Sequence, residues 1–358
     1  MKCATTPLAR GFLAAAFTLA ATAAFAAPAA EKAETPDAGE AEAAEWEGIQ
    51  LAPGVTLGLL AEIEASWAKA GDEKESDITV SKLEIGLSAD PVEGVHAEAV
   101  LHWEQDEDVE FDTAFVRLGG TEKIPVALEA GRIYAPFGKF ETAMVSDPLT
   151  LELGETRETL AALTWTGGPL TLWAGAFAGE LEKEEKKIEN AVAAASVAPC
   201  DGLEIGAAFS SDLREGKGYL DDLNDVANSA DLGDRVPAVN AWLVWTIADF
   251  TLSAEYLGAV DDLEVSMEDE EGVLVATSGK PQAWSVEGAY AFLEDWTLAL
   301  RYEGSKEFEG WPETRWGGTL AWQFNRFASV AAEYLYGTYD DSDLDDAHRL
   351  ALKLAVEL

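Results

Sequence analysis

The fold of this chain is decided by a stretch near its start in which apolar and polar residues alternate: Val55-Thr56-Leu57-Gly58-Leu59-Leu60-Ala61-Glu62-Ile63-Glu64-Ala65-Ser66-Trp67. Apolar side chains occupy every second position from Val55 to Trp67, and most positions between them are small, hydroxyl or acidic. Successive side chains of a β-strand point to opposite faces. The stretch therefore predicts a strand with one apolar face and one polar face.

The same period-two pattern returns along the chain in about sixteen segments, most of ~9–11 residues, the length of a tilted membrane-spanning strand. The segments begin near Val55, Ile78, Val95, Val109, Val126, Thr159, Pro169, Ile188, Leu203, Val236, Phe250, Ala283, Trp296, Arg315, Phe327 and Ala347. No apolar run after the N-terminus reaches the ~20 residues of a membrane-spanning helix. The pattern predicts an all-β fold, a transmembrane antiparallel β-barrel of about sixteen strands over residues 51–358.

The connections between these segments alternate between short and long. The short ones are Asp90–Gly94, Gly119–Pro125, Gly167-Gly168, Pro199–Gly202, Ala248-Asp249, Leu293–Asp295 and Asn325-Arg326. The long ones, of which only the second is brief, are Ala68–Asp77, Gln105–Asp108, Ile133–Glu158, Ala178–Lys187, Ser211–Arg235, Val260–Gln282, Gly304–Thr314 and Gly337–Asp346. Short periplasmic turns and long external loops, here acidic, are typical of outer-membrane barrels, whereas a soluble sandwich has no reason to segregate its loops in this way.

Aromatic residues concentrate near the predicted strand ends. Those that precede or follow long loops are Trp67, Trp103, Tyr256, Trp284, Tyr302, Tyr334 and Tyr336, and those at the opposite ends are Phe250, Phe292, Trp296, Trp322, Phe324 and Phe327. Two such girdles are expected where a barrel crosses the two membrane interfaces. The last segment, His348–Leu358, predicts a strand that closes the barrel, because an open sheet edge cannot face lipid.

The N-terminal region is typical of an exported protein. Residues 1–26 have the positive start, the apolar run and the Ala24-Phe25-Ala26 cleavage site of a signal peptide. Residues 27–50 are rich in Ala, Glu and Pro and predict a flexible or weakly helical acidic lead-in. Once Cys3 is removed with the signal peptide, Cys200 has no partner for an internal disulfide. We expect a Gram-negative outer-membrane protein with both termini in the periplasm.

Composition and spacing argue against several functions. The formal net charge of −43 argues against a nucleic-acid partner, which needs a basic surface on the protein. His96 and His102 lie about 20 Å apart along a strand, too far to share a metal ion. The acidic runs lack the Gly and Glu positions of an EF-hand loop, and no nucleophile lies at a spacing that suggests a base beside it. We therefore expect no enzyme activity, no cofactor and no metal site.

The connection Ile133–Glu158 is dense in charges and turn-forming residues, and connections of this length are usually functional or disordered. We expect it to fold into the barrel as a third external loop that narrows the pore, since selectivity in a wide barrel needs charge close to the solute. The predicted constriction consists of Arg132, Lys139, Glu141, Asp147, Glu152, Glu155 and Arg157. The alternative is a loop that lies outside the barrel as a cap.

This region also carries a family resemblance. The residues Gly131-Arg132-Ile133-Tyr134-Ala135-Pro136-Phe137-Gly138-Lys139-Phe140-Glu141, followed by Ser146-Asp147-Pro148-Leu149-Thr150 and Leu153-Gly154-Glu155-Thr156, resemble the signature of the LbtU-type siderophore porins. More distantly, Pro136-Phe137-Gly138 resembles the phosphate-selective porins. The resemblance implies an outer-membrane porin and, in the namesake branch, uptake of an iron–siderophore complex.

Charge bears on which solute would pass. An acidic pore repels anions such as phosphate or carboxylate-rich siderophores and favours cations. Four bases expected on the lumen face, Arg301, Arg315, Arg349 and Lys353, could form a basic ladder that still lets anions through. The leading hypothesis is a passive porin for small hydrophilic solutes or ions. We expect it to contact lipid and lipopolysaccharide and, by analogy with other sixteen-stranded porins, to form a homotrimer. The alternative is a structural or adhesive surface barrel whose acidic loops bind cations or partners.

Overall fold

The computed structural model describes residues 48–181, 187–219, 230–231, 234–268, 274–293, 295–308, 310–339 and 344–358. The predicted signal peptide and almost all of the predicted lead-in lie outside the described residues. No helix within the described ranges is long and apolar enough to cross a membrane.

Strands make up most of the described chain. Their bounds are β1 Ile49–Ala52, β2 Val55–Ala70, β3 Glu73–Val92, β4 Val95–Trp103, β5 Glu110–Thr121, β6 Ile124–Tyr134, β7 Arg157–Gly167, β8 Leu170–Phe177, β9 Asn190–Cys200, β10 Leu203–Ser210, β11 Ala230–Asp231, β12 Ala238–Ile247, β13 Phe250–Ala259, β14 Leu263–Glu268, β15 Leu274–Gly279, β16 Gln282–Phe292, β17 Trp296–Lys306, β18 Thr314–Asn325, β19 Ala328–Thr338 and β20 Ala347–Glu357. A short helix, α1 (Leu149–Gly154), and a single 3-10 turn at Leu213–Glu215 lie in the connections.

Sixteen of these strands form one closed antiparallel barrel, which confirms the predicted fold class. The barrel strands are β2 to β10, β12, β13 and β16 to β20. Each pairs with its neighbour along the chain, and β20 returns to β2 in a register that runs from Ala70 opposite Ala347 to Leu60 opposite Glu357. The predicted terminal strand therefore closes the barrel. β1 pairs with the first residues of β2, Val55 to Leu57. β11, β14 and β15 form a separate small sheet within two of the connections.

Polar and apolar side chains are distributed inside out relative to a soluble protein. On β17, Leu300 and Tyr302 are 60% and 52% exposed, whereas Arg301 and Glu303 between and beside them are 3% and 0% exposed. A similar alternation places charged side chains inside on several other strands, such as Glu129 of β6 and Glu287 of β16, beside exposed Leu128 and Val286. An apolar outer band around a polar interior is the arrangement of a barrel embedded in lipid.

The connections divide between two ends of the barrel, here called the short-turn end and the long-loop end. The short-turn end has tight turns such as Glu93-Gly94 and Asp201-Gly202, and exposed Cys200 ends the strand beside the latter. The long-loop end has connections that include residues 135–156, 211–237 and 260–281.

The first of the predicted long connections is wrong. β2 continues to Ala70 and β3 begins at Glu73, so the residues predicted as a loop, Ala68–Asp77, form a hairpin with a turn at Gly71-Asp72. Residues 73–77 are exposed along their whole length. This part of the hairpin needs no apolar face, and it therefore carries no period-two signal.

The aromatic residues form two groups on the outer surface. At the long-loop end, Trp284 and Tyr302 contact edge to face with ring centroids 5.0 Å apart. At the short-turn end, Trp296 stacks on Trp322 at 5.6 Å and on Phe292 at 6.4 Å. Rings at both ends of the apolar band are the girdles that the sequence predicts.

Candidate functional site

The connection between β6 and β7, residues 135–156, lies inside the barrel and is called the inner loop below. Its backbone N–H groups donate to glutamates on the inner face of the opposite wall. The contacts, as N to O distances, are Lys139 to Glu255 at 3.0 Å, Phe140 to Glu255 at 2.9 Å, Ala143 to Glu287 at 2.6 Å, Val145 and Ser146 to Glu333 at 2.8 and 3.1 Å, and Leu149 to Glu303 at 2.8 Å. These acceptors lie on β13, β16, β19 and β17, so the loop spans a large part of the inner wall.

Two arginines bind the carbonyl side of the same loop. Arg301 donates to Ser146 O at 2.8 Å and to Asp147 O at 2.9 Å, and Arg315 donates to Asp147 O at 2.7 Å. Both guanidinium groups also contact the buried Glu303 carboxylate, at 2.9 and 2.6 Å. A hydrogen bond to a charged group contributes about 1.5–3 kcal/mol, so this set holds the middle of the loop firmly against β17 and β18.

Apolar packing holds the other parts of the loop. Phe137, Leu149 and Leu153 are fully buried and join a core that includes inward-facing Trp242 and Leu257 of the wall. At the loop tip, Val145 packs against a floor of three alanines on β18, β19 and β20, and Met144 packs against Ala299 and Leu335. Small residues on the inner wall leave the space that the tip occupies.

The local sequence explains the path of the loop. Pro148 precedes α1 and has the extended backbone suited to a helix start, with φ −70° and ψ 150°. Phe140 has a φ of +54°, a left-handed conformation that turns the chain sharply between Lys139 and Glu141. Gly154 packs closely against the wall, and a Cβ there would require the end of the Leu257 side chain to move.

The predicted constriction residues divide into three groups. Lys139 and Glu141 pair at 3.2 Å, and Lys139 Nζ also lies 3.6 Å from Glu204 of β10. Asp147 and Glu152 are on the loop but only 3% and 9% exposed. Burial raises the pKa of Glu152 to about 8 and that of Glu155 to about 7, against the opposing effect of nearby Lys217.

Arg132 and Arg157 lie in the wall, at the ends of β6 and β7, and not on the loop. The register places Arg132 opposite Thr159, on the other face of the sheet from Ile133, which is buried in the lumen core. Arg157 contacts Glu110 and Asp112, both at 2.7 Å. Arg132 lies 3.8 Å from Glu110 and 3.7 Å from Glu180. The two cations therefore belong to an ion-pair cluster at the rim.

The predicted basic residues Arg301, Arg315, Arg349 and Lys353 all lie on the inner face, but glutamates separate them. Arg349 contacts Glu64 at 2.6 Å and Glu333 at 3.5 Å, and Lys353 contacts Glu62 at 3.1 Å. Arg301 and Arg315 share Glu303, as described above. The inner wall is thus a mixed-charge surface.

The histidines do not form a metal centre. His102 lies between Glu84, at 3.3 Å from Nδ1, and Glu104, at 3.0 Å from Nε2, so the carboxylates occupy opposite sides of the ring. His96 contacts Asp90 at 2.9 Å. In the part of the chain that the structure describes, no group of three or more potential ligands could hold a metal ion.

Solved structures with a similar fold are outer-membrane porins. The outer membrane channel DcaP of Acinetobacter baumannii aligns with a TM-score of 0.61 and 12% identity, over 87% of this chain and 99% of that one. Salmonella typhi OmpF, solved with daunomycin, aligns with a TM-score of 0.57 and 15% identity, over 85% and 97%. A trimer form of Vibrio cholerae OmpT has a TM-score of 0.52 and 14% identity, over 85% and 100%. At this identity the likeness shows the fold alone.

Sequence relatives are more limited in extent. A UPF0422 protein of Legionella pneumophila (strain Lens) is 29% identical over 93 residues, which cover 23% of this chain and 18% of the relative. A UPF0422 protein of Coxiella burnetii is 26% identical over 189 residues, which cover 50% and 39%. The match spans less than half the length of these relatives. No protein-family profile matches the chain.

Proposed function

We propose that this protein is a passive porin of the Gram-negative outer membrane, with the inner loop as its constriction. The observation that carries the proposal is the seating of the loop inside a closed barrel by the glutamates and arginines of the wall. A sixteen-stranded barrel is wide enough for an aqueous channel. A loop fixed within it narrows that channel and places charge beside a passing solute.

The lining of the lumen supports the diffusion of solutes. Towards the short-turn end, several inner-face positions carry small side chains, among them Ser88, Ser253, Ala289, Thr297 and Ala355. The hydroxyl–carboxylate contacts of the lumen have structural roles: Thr142 Oγ1 donates to Glu287 at 2.7 Å and Thr319 Oγ1 donates to Glu333 at 2.8 Å, and both glutamates also bind the inner loop. Small hydrophilic solutes and ions are the class that such a passage admits.

An acidic lumen favours cations among those solutes. Glutamates outnumber bases on the wall next to the loop, and each of Arg349 and Lys353 is paired with a glutamate. The resemblance to the LbtU-type porins keeps an iron–siderophore complex as a candidate cargo, and a carboxylate-rich siderophore would have to pass this acidic wall.

The remaining features follow from an outer-membrane location. With an even number of strands, both termini would lie in the periplasm, and the acidic long loops would face outside, next to lipopolysaccharide. A homotrimer is the proposed assembly, by analogy with the OmpT trimer form among the similar structures.

Planar-bilayer recording of the refolded protein tests the proposal. The expected result is stable single-channel steps with a cation-selective reversal potential in a KCl gradient. A variant with residues 141–146 replaced by a short Gly-Ser linker should form larger steps, because the tip of the loop is removed. Absence of steps from a barrel that migrates as folded on unheated gels would overturn the proposal and favour a structural or adhesive surface barrel.

A further inference from the structure

We propose that ion selectivity is set by a small charged site at the turn of the inner loop, formed by Lys139, Glu141 and the wall residue Glu204, and that this site favours small cations. The inference rests on the proposed porin function and deepens it by naming the selectivity residues and the solute class.

Most other charges of the predicted constriction are withdrawn from the solute path. Asp147 is 3% exposed, and its backbone carbonyl is bound by two arginines. Arg132 and Arg157 are paired with acids at the rim. Burial raises the pKa of Glu152 and of Glu155, so these two carboxyls carry little charge at slightly acidic pH. At pH 6 these groups therefore hold or shape the loop but offer little field to a passing ion.

Lys139 and Glu141, in contrast, keep their charged groups in contact with water. Glu255 binds the backbone N–H groups of Lys139 and Phe140, at 3.0 and 2.9 Å, which fixes the main chain at this point. The left-handed backbone of Phe140 turns the chain between the two charged residues. Their side chains are 24% and 38% exposed, so charged groups on a rigid turn reach water inside the barrel.

Glu204 of β10 completes the site. Its carboxylate lies 3.6 Å from Lys139 Nζ, and its other oxygen accepts a hydrogen bond from Trp242 Nε1 at 3.1 Å. Glu204 is therefore oriented by the wall and 20% exposed. Glu141 and Glu204 both pair with the Lys139 ammonium group, and the Glu255 carboxylate lies beside them on the backbone of the turn, so carboxylates outnumber ammonium groups among these side chains. Carboxylates that remain in contact with water attract a cation without holding it strongly, as conduction requires.

The test is the K⁺ to Cl⁻ permeability ratio, measured in bilayers by reversal potential at pH 6. A unit charge a few Å from the ion path changes this ratio by about fivefold. Glu141→Gln and Glu204→Gln should each lower the ratio by about that factor, and Lys139→Gln should raise it by about that factor. Glu307→Gln is the matched control, since Glu307 is 40% exposed and pairs with Lys306 at 3.0 Å in a loop at the long-loop end.

The charge can also be changed after the protein has folded, so that the substitution itself does not alter the charge during refolding. Glu141→Cys in a Cys200→Ser background can be folded first and then labelled with thiosulfonate reagents of either charge. A positive label should lower the cation preference relative to a negative label. Channels that conduct normally but keep the wild-type ratio in all charge variants and with both labels would overturn the inference and leave the porin function intact. A wild-type barrel without conductance would instead remove the function on which the inference rests.

Discussion

Leu149 donates its backbone N–H to the carboxylate of Glu303, 154 positions later in the chain, at an N to O distance of 2.8 Å. The acceptor is fully buried on β17 and also binds Arg301 and Arg315. One carboxylate thus contacts two wall cations and fixes the start of α1. The seating of the inner loop therefore includes a buried charged centre as well as apolar packing.

Replacement of Glu303 by Ala should release this part of the loop. The change leaves Arg301 and Arg315 buried near the loop without their shared counter-ion, and breaking a buried ion pair costs about 3–5 kcal/mol. We expect a lower urea midpoint for unfolding and larger, noisier channel steps in bilayers. Glu75→Ala, at an exposed position of the β2–β3 hairpin, is the control and should leave both unchanged. Wild-type steps from the Glu303→Ala barrel would mean that the loop is held by other contacts.

The period-two pattern was sufficient to predict the barrel, its approximate strand number and the inward direction of residues such as Arg301. The pattern could not predict which loop atoms the wall glutamates bind. Glu255, Glu287, Glu303 and Glu333 accept backbone N–H groups, which every residue except proline carries. A contact to the main chain leaves no signal in the sequence of the loop.

Two other features show the same limit. Arg132 and Arg157 flank the loop in sequence, but the strands extend far enough to place both in the wall, where Glu110 lies close to each. The β2–β3 hairpin extends past the predicted strand ends, since exposed residues 73–77 need no apolar face. A period-two pattern of apolar residues marks a strand only where one of its faces must be apolar.

Ala331→Leu should disturb the tip of the inner loop. Ala331 is 3% exposed and forms part of the floor beneath Val145, so a larger side chain has no space there and costs about 1–3 kcal/mol. The tip should be pushed from the wall towards the centre of the lumen, which predicts smaller single-channel steps. The same substitution at Ala161, which is exposed on the outer face of β7, should have no effect on conductance. Equal conductance of the two variants would contradict the described packing of the tip.

Phe137→Ala should destabilise the barrel, because it opens a cavity in the apolar core between the inner loop and the wall. The Phe137 ring is fully buried between the loop and the wall, and removal of a buried phenyl ring costs about 3–5 kcal/mol. The free energy of unfolding in urea measures this change. Phe111→Ala is the control, because Phe111 is 52% exposed on the outer surface and should lose much less.

The cation preference should rise with pH because of two carboxyls on the inner loop. Burial raises the pKa of Glu155 to about 7 and that of Glu152 to about 8, so both are mainly neutral at pH 6 and mainly charged at pH 9. Each proton lost adds a negative charge to the loop, and the K⁺ to Cl⁻ permeability ratio should increase over this interval. The sign for stability is the reverse: the folded state binds these protons more tightly than the unfolded chain, so stability should fall as pH rises from about 4.5 towards 8.

Reversal potentials recorded at pH 6 and 9 for the wild type and for the Glu152→Gln, Glu155→Gln double variant measure the change in the permeability ratio. The double variant should have a flatter profile, and a wild-type profile that is flat or falls with pH would show that neither carboxyl titrates within reach of the ion path.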